Sequence, residues 1–305
     1  MSAPATQSRP KLTIGMACYD DFDGVYFSVQ ALQLYHAEAM HDVEVLVVDN
    51  HPESAEGHAV RDFIENWVHC ARYIAAPEAV GTSAPRDLVF RKAEGHAVLC
   101  IDAHVMLVPG AVRKLIAYYD AHPGCRDLLQ GPMLYDDCKA MCTHMDPVWR
   151  CEMFGIWACD PRGEDIDGAP FEIPLHGCGL MSCRKEAWAG FNPAFRAFGG
   201  EEGYIQDKFR KRGDKTFCLP FLRWLHRFGR PRGVSYPLDR AAKLRNYLLG
   251  RVELGRSYDD VLEHFAPLMR RADMDHTLQS LGLPSIHDHW FKPARRKTAA
   301  LAGAA

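Results

Sequence analysis

The first half of the chain alternates short apolar segments with helix-like segments, and this alternation restricts the fold more than any other feature. Strand-like apolar runs occupy residues 11–18, 43–48, 71–75 and 96–101. Segments with apolar residues at helical spacing follow them, at 24–36, 55–68, 82–93 and from Pro109 onward. Strands joined by helices of this length form right-handed crossover units. The sequence therefore predicts an α/β fold with a mainly parallel sheet flanked by helices.

Ligands of such sheets bind beyond the carboxyl ends of the strands. The residues to consider are those that directly follow each predicted strand, namely 19–23, 49–50, 77–86 and 102–104. The first of these loops contains Asp20, Asp21 and Asp23, and no glycine-rich phosphate-binding motif is present. Because three carboxylates repel a diphosphate, a nucleotide bound here would need a divalent cation to neutralise its phosphates.

The fourth strand offers two ligands for such a cation. In Asp102-Ala103-His104 the alternating pleat is expected to point Asp102 and His104 to the same side. A set of oxygen and nitrogen ligands favours Mn²⁺ over Mg²⁺, which prefers oxygen and water. The alternative is a polar cluster with a structural role only.

The chain resembles GT-A glycosyltransferases, and among them the polypeptide N-acetylgalactosaminyltransferases and their family-2 relatives. Residues 102–104 match the D-x-H metal motif of these enzymes, and 176–182 (HGCGLMS) resemble the small-residue stretch that follows it. Residues 191–193 (FNP) are similar to the next turn, and 198–202 (FGGEE) resemble W-G-G-E with Phe198 in place of Trp. Residues 225–228 (LHRF) resemble the segment that carries a third metal ligand. The resemblance covers residues 11–230.

This resemblance implies a role for each matching residue. Asp102, His104 and His226 would hold Mn²⁺, or another divalent cation such as Mg²⁺, between the phosphates of a UDP-sugar. Glu201 and Glu202 would be the catalytic carboxylates at the start of a helix, one of them the general base if the enzyme inverts; plain helix capping is the alternative. The other donor-binding residues expected are Ala17, Asp49, Arg86, Phe198, Gly199 and Gly200, with Asp49 near uracil or ribose and the glycines letting the backbone approach the substrate.

Charge is distributed unevenly along the chain. Residues 206–251 contain thirteen Lys and Arg against three Asp, although the whole chain has a net charge of −3. Such a segment indicates either a phosphate-bearing ligand or an ordinary solvated helical surface. The acceptor stays open between a hydroxylated base in DNA, RNA, a protein, a glycan and a small molecule.

The remaining predictions concern organisation. We expect a flexible N-terminus (1–10), a GT-A glycosyltransferase domain (11–235), a helical extension (236–291) that packs on this domain or forms a homodimer, and a flexible tail (292–305). Residues 135–167, with Trp149 and Trp157, are interpreted as an acceptor-side loop region. With no secretory signal and no apolar run near the roughly 20 residues that span a bilayer, the protein is expected to be cytoplasmic, away from membranes.

The eleven cysteines are expected to be reduced thiols. The alternative for four of them is a zinc site, formed by Cys138, Cys142, Cys151 and Cys159.

Two other functions compete with the glycosyltransferase. One is a catalytically silent nucleotide-sugar binding protein of the same fold, although the presence of all three expected metal ligands and Glu201 disfavours it. The other is a nucleotidyltransferase, which is disfavoured by the acidic loop after the first strand.

Overall fold

The computed structural model describes residues 9–231 and 233–291. Its strands are β1 (Leu12–Cys18), β2 (Val43–Asp49), β3 (Ala71–Ala75), β4 (Ala97–Asp102), β5 (Val105–Leu107), β6 (Leu128–Gln130), β7 (Met133–Leu134), β8 (Met141–Cys142), β9 (His144–Arg150), β10 (Met153–Ala158), β11 (Phe171–Glu172), β12 (Leu180–Arg184), β13 (Thr216–Cys218) and β14 (Trp224–His226). Its helices are α1 (Phe22–Tyr35), α2 (Ala55–Trp67), α3 (Ser83–Lys92), α4 (Ala111–Ala121), α5 (Tyr204–Lys211), α6 (Arg240–Leu254), α7 (Asp259–Phe265), α8 (Arg271–Ser280) and α9 (Ile286–Phe291).

An eight-stranded sheet in the order β11–β13–β6–β12–β4–β1–β2–β3 forms the centre of the fold. The strands β4, β1, β2 and β3 are parallel to one another, and β12 inserts antiparallel between β4 and β6. Helices cover both faces, since separate apolar clusters pack on the two sides of the sheet. The predicted α/β class with a mostly parallel sheet is confirmed.

Close packing of α3 on β1 fixes one wall of the later site. A Cβ atom at Gly15 of β1 would lie 2.2 Å from Cγ1 of Val89 in α3, a distance that only glycine permits. The first turn of α3, which carries Arg86, is thereby held against the carboxyl ends of the central strands.

A second, four-stranded sheet has the order β5–β14–β7–β8. Its strand β14 pairs antiparallel with β5, and His226 lies opposite Val105. This pairing brings a residue from late in the chain next to the turn that follows β4.

The interpretation of residues 135–167 as a loop region is wrong. Strands β9 and β10 form an antiparallel hairpin, with Met153 opposite Arg150 and Trp157 opposite Met145. Pro147 and the interspersed charges hide the period of two that would identify a strand in the sequence. Packing stabilises the hairpin instead, because Trp149 contacts aromatic side chains of the C-terminal helices.

Two helices begin later than expected, each after a glycine with a positive φ. The helix predicted from Pro109 begins at Ala111, after Gly110 (φ 81°), and the helix predicted from Glu202 begins at Tyr204, after Gly203 (φ 76°). Glu201 and Glu202 therefore precede α5, and neither is part of its first turn.

Helices α6 to α9 share an apolar cluster, whose buried members include Leu244, Tyr247, Leu248, Val261, Leu262, Phe265, Met274, Leu278 and Ile286. Helix α6 also packs on α5 and on the hairpin, where the backbone N–H of Phe154 donates a hydrogen bond of 2.8 Å to the Tyr247 hydroxyl. The division at residue 235 and the homodimer stay predictions.

The flexible ends predicted for 1–10 and 292–305 lie outside the described residues, except for residues 9 and 10. Within the described part of the chain, no helix has the length and apolar character needed to cross a membrane.

Candidate functional site

A cavity of about 1000 Å³ opens at the carboxyl ends of β1, β2 and β4. Asp102, which ends β4, lines it together with residues that follow the strands, among them Tyr19, Asn50, His51 and His104. Because β12 runs opposite to β4, its first residues lie at the same edge, where the backbone N–H of Asp102 donates to the Gly179 carbonyl at 2.9 Å. The cavity thus lies where the sequence pattern predicted a binding site.

Asp102, His104 and His226 converge on one point of this cavity. Oδ2 of Asp102 lies 3.6 Å from Nε2 of His226 and 4.0 Å from Nε2 of His104. Three ligand atoms of this set lie within 4.8 Å of one another. Atoms that share an ion at about 2.1 Å from it are separated by about 3–4 Å, so the distances from Asp102 to the two histidines fit a shared divalent cation. His104 reaches this point from the turn after β4 rather than from the strand itself.

The two imidazoles are prepared for metal binding in different ways. Nδ1 of His104 lies 2.7 Å from Oδ2 of Asp21, while its buried Nε2 has no hydrogen-bond partner among the described residues. A carboxylate at one ring nitrogen selects the tautomer whose other nitrogen carries the lone pair. Burial lowers the pKa of His226 and so favours its neutral, metal-binding form.

Arg86 keeps Asp102 ionised. Burial alone would raise the pKa of the Asp102 carboxyl, but the Arg86 guanidinium and the two histidines outweigh it and hold that pKa well below its usual range. Nη2 of Arg86 donates to Oδ1 of Asp102 at 2.6 Å, which leaves Oδ2 facing the histidines. Arg86 was predicted to bind the donor. It lines the cavity, and its closest acidic partner is the metal-ligand candidate Asp102.

The two predicted catalytic carboxylates occupy different environments. Glu201 is fully buried, where Oε1 accepts a short hydrogen bond from the Thr82 hydroxyl and lies 3.8 Å from Nη1 of Arg86. Glu202 lines the cavity, and its Oε2 has no hydrogen-bond partner in the described chain. Burial, together with the neighbouring Glu201 charge, raises the pKa of Glu202 to about 7. Glu202 can therefore exchange a proton near neutral pH.

Three of the six other predicted donor-binding residues, Ala17, Arg86 and Phe198, line the cavity. Asp49 does not: its side chain is fully buried, Oδ1 accepts from the His51 backbone N–H, and Oδ2 accepts from the Tyr73 hydroxyl, both at 2.8 Å. Its carboxylate is thus engaged within the protein, and the adjacent Asn50 and His51 reach the cavity instead.

Gly199 and Gly200 are not among the residues that line the cavity, and their approach to the substrate stays a prediction. They have φ values of 103° and 93°, and a Cβ at Gly200 would lie 2.8 Å from Cβ of Asn246 in α6. Asn246 in turn donates to the Gly199 carbonyl at 2.8 Å. The two glycines allow α6 to pack against the loop that carries the glutamates.

Several lining residues were not predicted from the sequence. The Tyr19 ring stacks on the His51 imidazole with ring centroids 4.6 Å apart, and Oδ2 of Asp20 lies 2.8 Å from Nδ1 of His51. Tyr19 follows β1 directly, so its position after the strand was the only available indication. Asp21 was read as a repelling charge, although it lies against His104.

The basic segment is largely paired within the fold. Seven of its thirteen cations form ion pairs with carboxylates, namely Lys208, Arg210, Arg212, Lys215, Arg240, Lys243 and Arg251. Three more, Lys211, Arg223 and Arg245, donate to backbone carbonyls. The alternative of an ordinary solvated surface therefore accounts for most of the positive charge in residues 206–251. Arg230 is an exception that lines the cavity.

Metal-ligand geometry occurs at one place in the described ranges, the set of Asp102, His104 and His226. The alternative zinc site is not formed, and all eleven cysteines are free thiols.

Residues 13–128 match the sequence profile of glycosyl transferase family 2. This region contains Asp102 and His104 but neither His226 nor the two glutamates. No curated protein sequence matches the chain.

Solved structures of glycosyltransferases share the fold. GalNAc-T7 with UDP, GalNAc and Mn²⁺ aligns with a TM-score of 0.65 and 13% identity over 92% of this chain and 56% of its own, so the chain spans little more than half of that protein. The mannosyltransferase PcManGT from Pyrobaculum calidifontis, in complex with GDP-Man and Mn²⁺, aligns with a TM-score of 0.54 and 15% identity over 92% of this chain and 76% of its own. S. aureus TarS 1–349 in complex with UDP-GlcNAc aligns with a TM-score of 0.54 and 14% identity over 89% of this chain and 80% of its own.

Proposed function

We propose that this chain, a glycosyltransferase of the GT-A fold, transfers a sugar from a UDP-sugar to a hydroxyl acceptor with the help of a divalent cation, with Mn²⁺ preferred. The observation that carries the proposal is the convergence of Asp102, His104 and His226 in the cavity at the strand ends. Neighbours of the same fold were solved with UDP or GDP-Man and with Mn²⁺, which supports the same ligand classes here.

The chain's own residues prepare the site for this reaction. Arg86 keeps Asp102 charged, and Asp21 turns Nε2 of His104 toward Asp102. When bound, the cation offsets the negative charge of the departing diphosphate. The part of the cavity beyond β1 and β2 would place the nucleotide near Tyr19 and His51.

Glu202 is the candidate general base. Its carboxylate lines the cavity with one free oxygen, and its pKa of about 7 matches the pH at which a base works best. Glu201 supports it from the buried side through Thr82 and Arg86. We therefore assign proton acceptance to Glu202 and positioning to Glu201.

Hydrolysis of nucleotide-sugars with Mn²⁺ tests the proposal. A panel of UDP-GlcNAc, UDP-GalNAc, UDP-glucose and GDP-mannose would be assayed for release of the nucleoside diphosphate by the wild type and by Asp102→Ala. We expect EDTA and the substitution to abolish the release, whereas Asp23→Ala, at an exposed carboxylate near the site, leaves it unchanged.

Release that survives both EDTA and Asp102→Ala would refute the metal site. Binding of UDP and Mn²⁺ without turnover on any donor or acceptor would instead favour the catalytically silent binding protein.

A further inference from the structure

The cavity has two halves, and the order of strands separates them. Asp102 ends β4, which lies between β1 on one side and β12 on the other. Beyond β1 and β2 lie Tyr19, Asn50 and His51, which form the donor half. Beyond β12 and β6 lies a second half, to which the hairpin β9–β10 contributes.

The wall of the second half is apolar. It consists of Met145, Met153, Phe154 and Trp157, while Met133 and Trp224 border it but are almost fully buried. Methionine side chains adapt to ligands of different shapes, and indole and phenyl rings bury large apolar areas. Within the described chain, none of the lining residues that follow β1, β2 or β3 is a methionine or a tryptophan.

Trp157 is held in place at this wall. A Cβ at Gly177 would lie 2.9 Å from the Trp157 ring, so the indole rests against the bare glycine backbone. On another side His176 packs edge to face, with ring centroids 5.0 Å apart. Burial lowers the pKa of His176 to about 4, so this contact is made by a neutral ring. The indole is a fixed surface and not an adaptable side chain.

Polar groups are sparse in this half. Glu202 lines the cavity from the loop before α5, and Arg150 is the last residue of β9. An acceptor covered with hydroxyls or phosphates would lose hydrogen bonds to water against such a wall without gaining equivalent ones. Ten of the thirteen cations of the basic segment are engaged within the fold, so the segment by itself no longer indicates a polyanionic acceptor, although Arg230 lines the cavity.

From these observations we propose that the second half binds an acceptor whose hydroxyl is carried by an apolar ring, an aromatic or alicyclic alcohol. This inference rests on the proposed function. In the transfer, the acceptor oxygen forms a bond to the anomeric carbon of the donor as the bond from that carbon to the diphosphate oxygen breaks. The hydroxyl proton passes to the Glu202 carboxylate, and UDP departs with the electron pair.

An acceptor panel tests this class directly. With the donor that the wild type hydrolyses and with Mn²⁺, UDP release would be measured with 1-naphthol, 4-methylumbelliferone and cyclohexanol, and separately with N-acetylglucosamine, a serine peptide and an oligonucleotide containing 5-hydroxymethylcytosine. Release above hydrolysis with the ring alcohols, with the glycoside identified by mass, supports the inference. Stimulation by only the polar acceptors, or by none of the six, overturns it while leaving donor hydrolysis intact.

Equilibrium binding of 1-naphthol, followed by its fluorescence, provides a readout that needs no turnover. We expect Trp157→Ala to weaken binding about tenfold and Met153→Ala about threefold. Trp67→Ala is the matched control, because Trp67 is 71% exposed at the end of α2. Should Trp157→Ala fail to fold, Met153→Ala decides. Equal binding of 1-naphthol by the wild type and by folded variants of the wall would refute the apolar subsite. A wild type that binds 1-naphthol but hydrolyses no donor would instead count against the proposed function.

Discussion

Replacing Asp21 with Asn isolates the contact that orients His104. Oδ2 of Asp21 lies 2.7 Å from Nδ1 of His104, while Oδ1 accepts from the Gly24 backbone N–H at 3.1 Å and caps α1. Asn caps a helix as well as Asp does, so the substitution retains the cap. It removes the charge that fixes the His104 tautomer, and an amide can donate to Nδ1, which would place the ring proton on the metal-facing Nε2.

The expected cost follows from this loss of orientation. Removal of a carboxylate behind a metal-binding histidine typically weakens metal affinity 10- to 100-fold, or about 1.4–2.7 kcal/mol. We therefore expect Asp21→Asn to raise the dissociation constant for Mn²⁺ by roughly this factor, with little change in thermal stability. Calorimetric titration and the electron paramagnetic resonance of free Mn²⁺ both measure it without substrate.

Asp23→Asn supplies the matched control. It removes the same charge from the same helix start, but its side chain is exposed. A comparable loss of affinity in both variants would show that general electrostatics, and not the orientation of His104, causes the effect. The orientation account also requires that Asp21→Asn add nothing in a His104→Ala background. An additive effect in the double variant would contradict it.

Three further predictions concern the catalytic carboxylate, the packing of α6 and the ion pair at the metal site. Glu202→Gln should lower kcat about 10²- to 10⁴-fold with Mn²⁺ affinity retained. Wild-type kcat/KM should rise as the pH increases through about 7, because the deprotonated form of a group with a raised pKa becomes populated there. A pH profile of kcat/KM that the substitution leaves unchanged would exclude Glu202 as the base. Gly200→Ala should lower the free energy of unfolding by about 2–4 kcal/mol in denaturant titrations, because a positive φ and a close contact with α6 act together. Gly213→Ala, with a positive φ in open space, should lower it by only about 1 kcal/mol. Equal losses in the two variants would show that packing against α6 contributes nothing. Arg86→Met should raise the depressed pKa of Asp102, because the guanidinium that favours the ionised carboxyl is lost. Titration of the carboxyl carbons by NMR in the metal-free proteins measures this shift. An Asp102 titration curve that is the same in the two proteins would refute the role of the guanidinium.

The sequence by itself determined the sheet and the location of the site. Apolar runs separated by amphipathic segments encode strands and helices locally, and parallel strands place their carboxyl ends at one edge whatever the details of packing. The spacing of Asp102 and His104 after a buried strand likewise predicted two neighbouring ligands. The order of short motifs then indicated His226, although its strand lies in a second sheet.

Only the tertiary structure decided which polar groups face the cavity. Asp49 and Asn50 are adjacent in sequence. Yet the Tyr73 hydroxyl from the next strand donates a hydrogen bond to Asp49, whereas Asn50 reaches the cavity. Glu201 and Glu202 are adjacent too. Thr82, just before α3, and Arg86 in α3 contact Glu201 and make it a buried anchor, whereas Glu202 is the candidate base. The reason is physical: periodicity is a local property of the chain, whereas the partner of a buried charge is chosen by residues that only folding brings within hydrogen-bond distance.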